Sequence, residues 1–181
     1  VGHSELNGWG DAFQIQVSKG ICYVAASGIN GHDGMTILDV SDPSKPKILN
    51  QISDSPGART HKVLKINDEI MITNSELRPN LMGQYPDLVG GLKVFDISDP
   101  INPRFLRYVK TDGYGVHRPI YDRDRKLLYS SGYRDGFDKK ILLIHDMKDP
   151  ANPEFIGQGW VEGQKNGEDY SWNNSIVKNE A

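Results

Sequence analysis

The sequence predicts an all-β fold, a β-propeller of four-stranded antiparallel blades, on two observations. A strand–turn–strand signature recurs three times, and no window keeps a helical apolar period over three turns. The recurring segments are GMTILDVSDPSKPKIL (34–49), GLKVFDISDPINPRFL (91–106) and ILLIHDMKDPANPEFI (141–156). Each reads as an apolar run, then Asp-x-x-Asp-Pro-x-x-Pro, then a second apolar run. The leading aspartates, Asp39, Asp96 and Asp146, stand 57 and 50 residues apart, a period that belongs to propeller blades rather than to short solenoid coils.

The punctuation has a physical cause. Pro43, Pro100 and Pro150 fix φ near a turn, and Asp42, Asp99 and Asp149 can accept hydrogen bonds from turn amides. Pro46, Pro103 and Pro153 delay the following strand and forbid helix. These aspartates are read as turn formers, not catalysts. Upstream of each motif lies another hairpin: FQIQVSKGICYVAA (13–26), HKVLKINDEIMITN (61–74) and HRPIYDRDRKLLYSS (117–131). In the first blade the four strands are expected at about 12–17, 21–26, 35–40 and 47–52.

The whole of 1–181 is thus a single propeller segment. Blade one covers about 8–53, blade two 60–110 and blade three 116–160, and a fourth begins at about 170–181 with SWNNSIVKNEA. About three and a half blades cannot close a ring, and an unclosed edge is a pairing hazard. The missing blades are expected from the rest of a longer chain, or else from a second copy.

Composition excludes several classes. The 21 basic and 24 acidic side chains give a net charge of −3, and no basic stretch interleaved with aromatics points to nucleic acid. No apolar run is long enough to span a bilayer. Cys22 has no partner for a disulfide and sits in a strand-like run, so it reads as a buried, inert thiol. The chain opens at Val1 without an apolar leader, which reads as a leader absent or already removed. A soluble protein of the bacterial periplasm or a secreted one is the expectation, with the compartment open.

The blade signature, GGLKVFDISDPINPRFL and GMTILDVSDPSKPKIL, resembles the LVIVD-repeat β-propeller proteins over 8–160. LNGWGDAFQIQVSKGICYVA and GYGVHRPIYD look like a branch of that family with histidines near the central channel. The resemblance implies a propeller, seven-bladed and often bacterial, but no single reaction. A weaker likeness is to the selenium-binding and methanethiol-oxidase propellers, whose histidines bind copper.

Chemistry is expected where the starts of the innermost strands meet the loops between second and third strands. Registering blades on Val17, Ile66 and Asp122 places Ala12, His61 and His117 five residues earlier, at one height. Extending the register puts Trp172 there in the fourth unit, followed by Asn173 and Asn174. His61 and His117 are therefore candidate ligands of an iron, copper or zinc ion. Two imidazoles alone fall short of a catalytic zinc site, which usually has three protein ligands. His3 and His32 could approach the same face, while His145 reads as packing or blade-to-blade hydrogen bonding.

Trp9, Asp11, Arg59, Arg118, Tyr114 and Tyr121 could frame a pocket for a small substrate, and no catalytic residue is assigned. The polar loops 75–91 and 133–140 share that face. The leading expectation is a metal-binding propeller, an oxidoreductase or hydrolase acting on a small organic molecule. The alternative is a non-catalytic scaffold that presents those loops to a partner.

Overall fold

The computed structural model describes residues 2–9, 12–27, 33–53, 58–78 and 88–168, with a short 3-10 turn at Leu6–Gly8. These residues form three antiparallel sheets, a β-propeller-like arrangement. The first sheet holds β1 (Ala12–Ser18), β2 (Ile21–Ser27), β3 (Asp33–Asp39) and β4 (Lys47–Ser53) in sequence order. The second holds β5 (Ala58–Arg59), β6 (Val63–Lys65), β7 (Ile70–Leu77), β8 (Gly91–Asp96) and β9 (Arg104–Lys110), with β5 and β6 both pairing β7. The third holds β10 (Val116–Asp122), β11 (Leu127–Tyr133), β12 (Lys140–Asp146) and β13 (Glu154–Gly159). The fourth unit expected at 170–181 lies outside the described residues.

The Asp-x-x-Asp-Pro turns form as their chemistry requires. Asp39, Asp96 and Asp146 each accept the backbone N–H two residues on, at 2.9, 2.9 and 2.8 Å. Asp42, Asp99 and Asp149 repeat this at 3.0 Å each. Between β1 and β2, Lys19 and Gly20 both have positive φ, the two-residue turn whose twist matches the strands it joins.

Strand alternation sends one face of each blade to the next. Tyr23, Ala25, Met35 and Ile37 of the first pack on Val63, Met71, Phe95 and Ile97 of the second. Ile72, Leu92 and Val94 on the second's other face then meet Val116, Leu128, Ile141 and Leu143 of the third. Polar pins cross the same seams: Tyr23 Oη donates to Pro100 O (3.0 Å), and Asn50 Nδ2 to Ile101 O (2.9 Å). The outer face of the first blade, with Cys22, Val24 and Leu38, takes Leu6 of the N-terminal turn. Burial pushes the Cys22 thiol pKa up, in keeping with an inert thiol.

Candidate metal centre

The innermost strand of the second blade is broken, and the break builds the site. Residues 60–62 separate β5 from β6, and Asn74 of β7 replaces the missing ladder with its side chain. Its Oδ1 accepts the N–H groups of His61 and Lys62 at 2.9 Å each, and its Nδ2 donates to Val116 O at 3.0 Å. One buried amide thus fixes His61 against the strand that carries His117. Next to it, Gly115 (φ 88) bridges Glu76, and Leu77 N–H donates to Tyr114 O at 2.8 Å. A Cβ at Gly115 would come within 2.2 Å of Ser75 O, so only glycine permits this approach.

Three side chains converge there. His117 Nδ1 lies 2.8 Å from Glu76 Oε2, and the His61 and His117 rings stand 4.4 Å apart. His61 Nε2 is also 2.9 Å from that oxygen, while Nδ1 of the buried His61 has no hydrogen bond. Ligand atoms of His61, Glu76 and His117 all fall within 4.8 Å of one another. Because a carboxylate only accepts, His117 carries its proton on Nδ1 and keeps a lone pair on Nε2.

Two cations complete the cluster. Arg59 Nε is 3.3 Å from Glu76 Oε2, and Lys140 Nζ donates to Oε1. Burial works to raise the pKa of the 2 % exposed Glu76 carboxyl. The contacts from His61, Lys140 and His117 outweigh it and hold the carboxyl well below the usual range. Burial lowers the His117 pKa, against the opposing pull of Glu76.

The sequence-predicted residues divide. His61, His117 and Arg59 meet at Glu76. Arg118 is exposed beside His117 at φ 45, in the bulge between His117 and Ile120. Tyr114 packs edge-on against Tyr133 at 5.0 Å, and Lys140 lies over that second ring. Tyr121 sits near the other end of β10, packed on the core with Arg123 6.0 Å from its ring. Trp9 donates its backbone N–H to Leu6 O, closing the N-terminal turn. Asp11, His32, Trp172, Asn173 and Asn174 lie outside the described residues, as does 79–87 of the long loop.

Two corrections concern the register. The turn pairs Ser18 with Ile21 as it pairs Asp122 with Leu127, so Ser18 rather than Val17 registers with Asp122, and Phe13 rather than Ala12 matches His117 and, by the same count, His61. Its ring meets His61 edge-on at 4.5 Å. Glu76, expected in the loop 75–91, belongs instead to β7, which runs to Leu77. No periodic signal marks it, because Thr73, Asn74, Ser75 and Glu76 are all polar and all buried. His145 is buried against Phe155, with no hydrogen bond to Nδ1.

The blades and their repeated turns define a repeat protein of propeller type. The family model described as LVIVD repeat matches residues 9–53 and 86–111, so the chain carries LVIVD repeats. No curated protein matches the sequence. Among solved structures, a candidate 6-phosphogluconolactonase from Bacteroides uniformis is similar at TM-score 0.61 and 13% identity, over 87% of this chain and 42% of that one. A hypothetical selenium-binding protein from Sulfolobus tokodaii is similar at TM-score 0.60 and 12% identity, over 84% and 39%. This chain spans about two fifths of the length of the solved chains it matches. At such identities the likeness concerns the fold alone.

Proposed function

We propose that His61, Glu76 and His117 bind a transition-metal ion at the mouth of a propeller channel, and that the assembled protein acts on a small organic molecule there. The observation that carries this reading is the convergence of two imidazoles and one carboxylate, with Nδ1 of buried His61 left without a hydrogen bond. A buried polar atom costs free energy unless partnered, and a metal is one partner that would satisfy it. Glu76 supplies the third donor that two histidines lacked. Two histidines and one carboxylate suit iron(II) or zinc. Such an ion supplies Lewis acidity, an activated water or one-electron chemistry.

The ring itself is part of the proposal. Three blades account for about two fifths of the matched chains, the share they would have of about seven blades. The remaining blades come from a longer chain or a second copy.

A second reading, a binding propeller without metal, is favoured by Arg59 and Lys140, which already pair with Glu76. Calorimetric titration of chelator-stripped protein with Zn²⁺, Cu²⁺ and Fe²⁺ separates the two. The metal reading expects one saturable site, lost in His117→Ala and weakened at least about a hundredfold in Glu76→Gln. Absence of a saturable site in the wild type favours the binding propeller. Metal binding kept in Glu76→Gln but lost in His117→Ala makes Glu76 an orienting partner of His117 instead of a ligand.

A further inference from the structure

We infer that the ligand of this mouth carries an anionic group, a carboxylate or a phosphate, held by Lys62 and Arg118 with Arg59 and Lys140 beside them. This deepens the small-molecule reading of the His61–Glu76–His117 mouth and rests on it. The sequence repeats a dipeptide at matching places in two blades: His61-Lys62 and His117-Arg118. Each pairs an imidazole that reaches Glu76 with a permanent cation next in the chain. Arg59 and Lys140 touch the carboxylate itself. Two cations therefore touch the acidic group and two more follow its histidines in the chain, on a chain whose overall charge is −3.

Among the described residues neither Lys62 nor Arg118 is ion-paired, and the Asn74 amide joins their two segments, accepting the Lys62 N–H and donating to Val116 O. Holding two like charges together raises the free energy of the free protein, and an anion between them relieves it. The backbone points the same way. Arg118 adopts φ 45 inside a strand, a region that a bulky side chain rarely enters, at a bulge that re-aims it away from the ladder. Strain of this kind persists where surrounding structure enforces it, often at ligand sites. A guanidinium recognises carboxylate and phosphate oxygens in bidentate fashion, and lysine adds a point charge.

The test uses the chain stripped of metal and titrated calorimetrically at low ionic strength with inorganic phosphate, separately with succinate, and with glucose as the neutral control. Saturable binding of phosphate or succinate but not glucose is expected, and the stronger of the two anions names the group. Arg118→Gln is expected to weaken it at least about tenfold while leaving the melting temperature unchanged. Lys62→Gln serves as the second variant, with the same expected weakening. No saturable anion binding by the wild type overturns the inference, as does binding that both variants leave within about twofold. A wild type that takes up no metal yet binds an anion through Arg118 upholds this inference and overturns only the metal reading.

Discussion

Asn74 is the residue on which the site's geometry turns. Its amide satisfies two N–H groups on one histidine-bearing segment and a carbonyl on the other, all in the buried seam between the second and third blades. Asn74→Ala leaves those groups without partners, and an unsatisfied buried group costs roughly 1–3 kcal/mol. The expected outcome in urea unfolding is a loss of about 3 kcal/mol, together with weaker metal uptake even though no proposed ligand is altered. An unchanged midpoint would mean that the blades hold the histidines without it. Little of this was legible beforehand. His61 and His117 could be paired from their fixed distance to the hairpin turn. Glu76 could not, because a run of buried polar residues carries no amphipathic period and reads as loop.

At the scale of the element, sequence reading did best where local chemistry decides. The four strands expected in the first blade at 12–17, 21–26, 35–40 and 47–52 are found at Ala12–Ser18, Ile21–Ser27, Asp33–Asp39 and Lys47–Ser53. Proline, Asx turns and alternation are all short-range signals, and they agree. Bulges are not short-range. The third and fourth strands slip register between Ile37 and Leu38, Val94 and Phe95, and Ile144 and His145, the same place in every blade. A one-residue offset at the first hairpin turn, which closes on Ser18 rather than Val17, puts Phe13 in the place expected for Ala12. Between blades, the Tyr23 hydroxyl donates to the Pro100 carbonyl from a side chain 1 % exposed. Tyr23→Phe keeps the ring and removes that bond, with an expected loss of about 1 kcal/mol and no change in metal content. A loss of metal in this variant would tie the seam to the site.

For the whole molecule, the open question is the neighbour of the third blade. Met35 (2 % exposed) and Leu92 (0 %) are buried against the following blade, while Leu142, at the matching place, is 43 % exposed. Trp160 and Val161 extend that apolar face, beside a cleft of about 470 Å³ that Lys140 also lines. The cleft lies where another blade would pack in the proposed ring, so it is weak support for a substrate pocket. Among the described residues, no helix is long and apolar enough to cross a membrane.

Acid stability also belongs to this scale, because its groups are spread over the blades. Burial, with help from Arg134, lowers the His145 pKa from the ordinary 6.5 to about 4. The unfolded chain therefore takes up this proton first as pH falls. The stability that His145 contributes is whole above about pH 6.5 and is lost towards pH 4, on the order of 3 kcal/mol. Turn hydrogen bonds with Ser98 and the Arg104 contact hold Asp96 at about 2, and Lys65 and Lys19 hold Asp68 at about 2. Their contribution is present above about pH 4 and disappears as pH falls to 2. Urea unfolding at pH 7, 5 and 3 is expected to show both declines, with His145→Gln removing most of the first and leaving the part due to His117, whose pKa burial also lowers. A flat profile from pH 7 to 4 in the wild type would contradict the assignment to His145.

Elemental analysis of the purified protein beside His117→Ala asks whether His61, Glu76 and His117 form a metal site. A stoichiometric transition metal is expected in the wild type and none in the variant, with both equally folded. A folded wild type without metal, or a variant that keeps its metal, would contradict it.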